Sequence, residues 1–168
     1  MHRSSPFPKK TACRPPLRKD AERTFGPGCC QAGLGGVERR EGIAPTRPRS
    51  ILGSVNIDAV YSEKEPNAPR WDCLIGYLSD APRAYFVEFH EADKEHCIDE
   101  VKAKPEWLIR KLQGSPFLTP CHWKVSYHWV VSSEGSERSP VVFTKREVTA
   151  KMAPYQIEFE GRGPLKLE

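Results

Sequence analysis

Two acidic residues and a histidine are the residues of this chain whose types and spacing could do chemistry. The stretch from Trp71 to His90 predicts two strands joined by a turn at residues 79–83. Asp72 begins the first strand, and Glu88 and His90 end the second. Carboxylate oxygens are the ligands that Mg²⁺ and Mn²⁺ prefer, and a neighbouring histidine can orient or deprotonate water. The pattern indicates a metal-dependent hydrolytic site.

The register of the predicted hairpin decides whether these side chains meet. If Leu78 lies opposite Ala84, then Asp72 lies opposite His90. Directly opposed residues of an antiparallel pair point to the same face, so Asp72, Glu88 and His90 converge at the open end of the hairpin. Diagonal neighbours there are ~7–8 Å apart at the backbone, which is close enough for two carboxylates to share a cation.

A helix is expected to follow the hairpin. Asp93 is a residue type that caps helix N-termini, and Gly114 is typical of the residue just beyond a helix C-terminus. Pro105 removes a backbone donor within this segment and clashes with the preceding turn. We therefore expect a kink, or two short helices that meet at Lys104.

The remaining strand signals complete an α/β domain. Residues 125–131 form the strongest one, and residues 141–144 and 155–159 predict one or two further short strands. The order of two strands, a helix and a strand indicates a mixed sheet with a crossover connection. We expect one core between sheet and helix, formed by Val87, Phe89, Ile98, Val101, Leu108, Val125, Tyr127 and Trp129.

Composition divides the 168 residues near position 50. Residues 1–50 hold 7 of the 16 prolines and 6 of the 12 glycines, with 11 Lys and Arg against 4 Asp and Glu. Residues 51–168 carry 15 basic and 18 acidic residues. We predict a disordered basic Pro/Gly-rich extension over residues 1–50 and a folded domain over residues 51–168. A basic arm that binds nucleic acid is the functional alternative for the extension.

The spacing of the cysteines and the absence of a long apolar run bear on the cellular location of the protein. No C-x-x-C pair occurs among the six cysteines, and no apolar signal-peptide core precedes them. We interpret all six as free thiols and predict a cytoplasmic protein. No apolar run approaches the ~18–20 residues that a membrane helix needs, so we expect no membrane partner.

The spacing of the acidic residues resembles a known nuclease motif. Asp72, a gap of fifteen residues and Glu88-x-His90 ahead of a helix resemble the PD-(D/E)XK superfamily. There, Asp and (Asp/Glu)-x-Lys lie on neighbouring central strands, a helix follows, and another strand completes the core. The resemblance covers roughly residues 56–131, and within it residues 70–77, 85–92 and 100–112 also resemble small uncharacterised bacterial proteins of that fold. The resemblance implies a restriction-endonuclease-like mixed sheet with flanking helices in a single small domain.

The resemblance also implies roles for individual residues. Asp72 and Glu88 match the two carboxylates that bind Mg²⁺ or Mn²⁺, and Glu63 or Glu65 matches an acidic residue that an earlier helix often adds. On this basis Asp72, Glu88 and Glu65 are the expected metal ligands, and Asp72, Glu88 and His90 the expected catalytic residues. His90 stands where the superfamily usually has a lysine, whose positive charge lies near the scissile phosphate.

The implied function is metal-dependent phosphodiester hydrolysis in DNA or RNA. The rival is a non-catalytic interaction or regulatory protein that retains the fold. The missing lysine and the net acidic charge of residues 51–168 favour the rival. The sequence indicates neither the strandedness of a substrate nor an oligomeric state.

Other interpretations of the same residue types remain. Asp72, Glu88 and His90 also fit solvated positions on an open sheet face. A zinc site could be built from His90, His96 and Cys97 or His122, although no pair has the spacing of a zinc motif. Two cysteines, Cys73 and Cys97, are candidate nucleophiles without a local signature. Three tryptophans fit core or edge packing better than base stacking: Trp107, Trp123 and Trp129.

Overall fold

A computed structural model of the protein describes residues 16–92, 95–119, 122–131 and 143–168. The helices in these ranges are α1 (Leu17–Phe25), α2 (Ile57–Tyr61), α3 (Glu95–Leu112) and α4 (Lys145–Met152). The strands in these ranges are β1 (Cys30–Gln31), β2 (Ile43–Pro45), β3 (Ile51–Asn56), β4 (Cys73–Leu78), β5 (Pro82–His90), β6 (Lys124–Val131), β7 (Ile157–Gly161) and β8 (Leu165–Leu167).

The strands form one large mixed sheet and one small sheet. The large sheet has the order β1-β3-β4-β5-β6-β7. Its first four strands pair antiparallel, and β5, β6 and β7 pair parallel. The parallel β5–β6 pair is joined through α3, which is the crossover that parallel neighbours require. Strands β2 and β8 pair parallel in the second sheet. The predicted mixed α/β fold in one small domain is confirmed.

Both faces of the large sheet are buried, and this corrects the predicted core. On one face, Trp129 and Phe86 pack with apolar residues of α1, α3 and α4. On the other face, Val87 and Phe89 pack with residues of β2 and β8. The prediction that Val87 and Phe89 face α3 is wrong. A strand covered on both sides is apolar at nearly every position, so its sequence does not show which side chains meet the helix.

Helix α1 shows that residues 16–50 are part of the domain. Leu17, Ala21 and Phe25 recur four residues apart on one side of α1, and all three are buried in the main core. The predicted disordered extension is therefore wrong for residues 16–50, and residues 1–15 lie outside the described part of the chain. The apolar stripe of α1 is the signal in the sequence that identifies this helix.

Helix α3 continues through Pro105. The structure has one helix from Glu95 to Leu112, with Pro105 inside it, in place of two helices that meet at Lys104. Val101 before the proline and Leu108 after it belong to the same core cluster. Packing of both halves against one core holds them in a single helix, despite the donor that proline removes.

Helix α4 lies between the two short strands that were expected near the C-terminus, and it was not predicted. Thr144 is the N-cap of α4, and its side chain and that of Glu147 form a reciprocal capping box. The T-x-x-E pattern is the signature of that motif. Residues 141–142 of the expected strand lie outside the described residues, and the strand expected over residues 155–159 is present as β7, shifted towards the C-terminus.

The cysteine and membrane predictions have different outcomes. Cys30 is disulfide-bonded, so the interpretation of all six thiols as free is wrong at that position. The cytoplasmic location that was inferred from free thiols stays a prediction. Among the described residues, none of the helices has the length and apolar content to cross a membrane.

Candidate active site

The hairpin of β4 and β5 places Asp72 opposite Glu88. Leu78 pairs with Pro82 and Cys73 with Val87, so the register differs by two residues from the predicted one. Continuing this register by one step brings Asp72 beside Glu88 and not His90. The turn is shorter than expected because β5 already begins at Pro82. Asp72, one residue before β4, and Glu88, in β5, are therefore side by side.

Asp72 is held by the backbone of β5. Its Oδ2 accepts a hydrogen bond of 2.7 Å from the Phe89 N–H group. Burial raises the pKa of Asp72, and the Phe89 N–H and the nearby Lys104 ammonium partly offset that increase because they stabilise the charged form. The carboxylate is thus fixed in position at the start of the hairpin and carries a desolvation cost.

Glu88 is a buried carboxylate with a protein partner at only one of its two oxygens. The residue is 1% exposed, and its Oε1 forms an ion pair with Lys104 Nζ at 2.7 Å. Its Oε2 is buried and has no hydrogen-bond partner. Burial, followed by the charge of Asp72, raises the pKa of Glu88 to about 8, although Lys104 opposes the shift. A single lysine does not compensate for two neighbouring buried carboxylates.

Lys104 is a site residue that the sequence analysis missed. It projects from α3, and its Nζ also donates to the backbone oxygen of Arg70 at 2.6 Å. The signal was present in the sequence, because Lys104 lies at helical spacing between Val101 and Leu108, which are both buried. A lysine within the apolar stripe of a helix needs a buried partner, and that partner is Glu88.

His90 lies between two carboxylates. Its Nδ1 is 3.7 Å from Glu88 Oε1, and its Nε2 is 2.8 Å from Glu100 Oε2. The structure thus brings His90 to Glu88 as predicted and adds Glu100 of α3 on the other side of the ring. Because Glu100 is largely exposed, His90 marks the solvent side of this group.

Glu65, the third predicted metal ligand, points elsewhere. Its Oε1 forms an ion pair with Lys111, and its Oε2 accepts a hydrogen bond of 2.8 Å from the Trp107 indole N–H. The Lys111 contact, followed by that of Trp107, lowers the pKa of Glu65. Both oxygens are therefore engaged by the later half of α3, and Glu63 is exposed. Neither residue is brought to the Asp72–Glu88 pair.

Asp58 of α2 is the upstream acid that the structure places near the pair. The N–H groups of Ile57 and Asp58 both donate to the backbone oxygen of Asp72, at 2.9 and 3.3 Å. The negative charge of Asp58 raises the pKa values of Asp72 and Glu88. Asp58 itself is paired with Arg70 at 2.7 Å. The sequence analysis missed Asp58 because α2 has only five residues and gives little periodic signal.

A cleft of about 130 Å³ opens beside Asp58 and Asp72. Its other lining residues are Gly36, Glu38, Arg39, Asn56, Cys73 and Phe89. Glu88 is not among them, so Asp72 is the residue that belongs both to the cleft and to the buried pair. A ligand in this cleft would contact Asp72 from the side on which Asp58 of α2 lies.

The other candidate residues have ordinary structural roles. Burial raises the pKa of the Cys73 thiol well above its usual range, which disfavours the thiolate that a nucleophile requires. The indoles of Trp107, Trp123 and Trp129 are buried in the main core and offer no face for a stacked base. His96 is exposed next to the buried Cys97, and these two do not form a zinc cluster with a third described residue.

The chain was also compared with known proteins. No protein-family model matches it, and neither a curated protein nor a solved structure matches it. The likeness to the PD-(D/E)XK superfamily is therefore a resemblance of sequence pattern, carried by Asp72 and Glu88.

Proposed function

We propose that this protein is a metal-dependent phosphodiesterase of the nuclease type, in which Asp72 and Glu88 hold a divalent cation. One observation carries the proposal: Glu88 is a buried carboxylate beside Asp72, and its Oε2 has no protein partner. Buried polar atoms are nearly always satisfied, and each exception needs an explanation. A cation at the pair supplies both a partner for Oε2 and the missing positive charge.

The donor set fits Mg²⁺ or Mn²⁺. Asp72 and Glu88 offer carboxylate oxygens, and Asp58 is a further acid that lines the same cleft as Asp72 and acts electrostatically on Glu88. Hard oxygen donors of this kind suit small divalent cations. When bound, such a cation polarises a phosphoryl oxygen and makes a bound water more acidic. His90, next to Glu88, is positioned to accept a proton from the attacking water.

Lys104 provides the positive charge that His90 cannot supply. The superfamily motif has a lysine two residues after the second carboxylate, where this chain has His90. Lys104 reaches the same carboxylate from α3 and binds its Oε1. An ammonium group at this point stabilises negative charge that develops on a phosphate in the transition state. We therefore assign Lys104 the role that the resemblance gives to lysine.

The arrangement of elements supports a restriction-endonuclease-like fold. Asp72 immediately precedes β4 and Glu88 lies in β5, its neighbour in the middle of the large sheet. Helix α3 follows, and β6 pairs parallel with β5. Helix α2 supplies the earlier acid. These are the features that the resemblance implies, with Asp58 in place of Glu63 or Glu65.

Nucleic acid is the proposed substrate class. Its phosphodiester groups are the chemical match for a cation held by carboxylates beside a lysine. The basic residues of segment 1–50 belong, from residue 16 onwards, to the folded domain that carries the site. Phosphate contacts made by such residues would give affinity without base specificity.

Metal binding and cleavage should depend on the same two residues. Saturating Mn²⁺ or Mg²⁺, at about 100 times its Kd, should raise the melting temperature of the wild type by roughly 5 °C or more. Asp72→Asn and Glu88→Gln should each abolish that shift, because each removes a charged ligand. Cleavage of single- and double-stranded DNA and RNA, measured on gels, should disappear in both variants.

Glu65→Gln is the matched control for this experiment. It changes a glutamate that contacts Lys111 and Trp107 and not the acidic pair, so the metal-induced shift and any cleavage should be retained. If the wild type shows neither a metal-induced shift nor cleavage, the enzymatic proposal fails. The alternative is then a non-catalytic interaction or regulatory protein that keeps this fold.

Lys104→Met should separate catalysis from metal binding. Cleavage should fall by about 100-fold or more, because the variant loses a preorganised positive charge at the reacting phosphate. The metal-induced melting shift should persist, since both carboxylates remain. Lys111→Met, seven residues further along α3, is the control and should cleave like the wild type. Unchanged cleavage by Lys104→Met would remove Lys104 from the proposed machinery.

A further inference from the structure

A second group of metal-ligating side chains lies on the opposite face of the large sheet. His128 projects from β6, and Glu158 and Glu160 project from β7, which pairs parallel with β6. His128 is in register with Glu158 on one side and with Val87 on the other. Val87 faces the small sheet, whereas Glu88 faces α3. The group is therefore separate from the proposed active site.

The three side chains bring their ligand atoms to one point. One ligand atom from each of His128, Glu158 and Glu160 lies within 4.8 Å of the other two. His128 Nδ1 is 2.8 Å from Glu160 Oε1 and 4.0 Å from Glu158 Oε2. Ligands bound at zinc distances in a tetrahedral site are about 3.4 Å apart, so the observed spacing brackets that value. Only small side-chain movements are needed to enclose an ion.

The histidine is held as metal-bound histidines usually are. Its side chain is 6% exposed, and Nε2 lies 2.8 Å from the hydroxyl of Ser126. The ring also packs on Tyr85, with a distance of 5.4 Å between ring centroids. A hydrogen bond at the far nitrogen fixes the orientation of the ring and directs the other nitrogen at the metal. Ser126 performs that function here, and Nδ1 faces the two carboxylates.

Solvent can reach the group from the side of β7. The side chain of Glu158 is 67% exposed and that of Glu160 is 24% exposed. An ion could therefore enter without opening the core, and it would retain a coordination position for water. One imidazole nitrogen and two carboxylates form a donor set that suits Zn²⁺ better than Mg²⁺, which prefers oxygen alone.

We propose that His128, Glu158 and Glu160 form a second metal site, specific for Zn²⁺ or a similar transition-metal ion. The site joins β6 to β7 on the sheet face opposite to α3. It differs from the proposed active site in its ligands, in its position and in the class of ion that it binds. Its existence does not require that the protein be a nuclease.

Calorimetric titration of the chelator-treated full-length protein with Zn²⁺ tests the proposal. The wild type should bind one Zn²⁺ that is lost, or bound at least about 100-fold more weakly, in Glu158→Gln and His128→Asn. Glu158 is exposed, so its substitution leaves the fold intact and keeps the result interpretable. Glu106→Gln, at an exposed glutamate of α3, is the matched control, and Glu88→Gln should also retain this Zn²⁺.

Co²⁺ identifies the ligands independently of affinity. Bound Co²⁺ should give the visible absorption of a site with nitrogen and oxygen ligands and no sulfur-to-metal charge-transfer band. Absence of binding, equal binding by Glu158→Gln and the wild type, or a charge-transfer band from cysteine ligands would each overturn the proposal. Loss of Zn²⁺ binding in Glu88→Gln would also overturn it, because the ion would then occupy the proposed active site.

Discussion

Glu88→Gln should remove most of the loss of stability that the wild type shows between about pH 5 and pH 8. Burial and the charge of Asp72 raise the pKa of Glu88 in the folded protein to about 8. In the unfolded chain the same group ionises near its ordinary value. Between these two values the unfolded state releases the proton and the folded state retains it, so the free energy of unfolding falls as the pH rises. The total change is on the order of 4 kcal/mol at pH 8.

Urea unfolding at pH 5, 6.5 and 8 in the absence of divalent cations measures this effect. Glutamine stays neutral and can still accept a hydrogen bond from Lys104, so the variant should be more stable than the wild type at pH 8. Glu106→Gln should reproduce the wild-type pH profile, because Glu106 is an exposed partner of Arg110 on the surface of α3. If Glu88→Gln keeps the full wild-type slope, Glu88 is not the group that binds the retained proton.

Leu17→Ala should cost about 2–5 kcal/mol of unfolding free energy, the usual range for a buried leucine. Leu17 is fully buried in α1, although it lies in the Pro/Gly-rich segment that composition marks as disordered. Its side chain sits directly over Gly76 of β4, where an added Cβ would be 2.6 Å from Leu17 Cδ2. Removal of the leucine side chain therefore leaves a cavity between α1 and the sheet.

Leu118→Ala is the matched control, because Leu118 is exposed and the same substitution there should change stability by no more than about 0.5 kcal/mol. A double-mutant cycle with Gly76→Ala sharpens the test. Gly76→Ala alone should destabilise through its clash with Leu17, and Leu17→Ala should relieve that clash in the double variant. Additive costs, or a harmless Leu17→Ala, would show that α1 does not pack at Gly76.

The two-residue difference in the hairpin register has a simple physical cause. Side chains alternate with a period of two, so a shift of two residues returns each side chain to the same face. Both registers place Asp72 and Glu88 on one side of the sheet, and the residue pattern of β4 and β5 does not distinguish them. The contacts of the folded sheet select the register with Asp72 opposite Glu88. The sequence thus predicted that Asp72 and Glu88 share one face of the sheet, but not that they lie directly opposite each other.

Long-range contacts decided which other side chains reach the acidic pair. Lys104 comes from α3, and Asp58 from a helix of five residues whose position depends on bonds to the Asp72 backbone. Glu65 precedes Asp72 by only seven residues in the sequence, but it forms an ion pair with Lys111 instead. The spacing of these residues along the chain does not show how close their side chains are in space. These distances follow from how α2 and α3 pack on the sheet.

The sequence alone determined three central strands, the helical character of α3 and the acidic pair, but it did not lead to α1 or α4. Alternating apolar and aromatic residues identified β4, β5 and β6, helical spacing identified α3, and residue type identified Asp72 and Glu88. The tertiary structure decided which surfaces are buried. Helix α1 packs closely on β4 because Gly76 leaves room for Leu17, and both faces of the sheet are apolar because helices cover one and β2 and β8 cover the other. Local propensity depends on residues that are close in sequence, whereas burial depends on contacts with residues that are far apart in sequence.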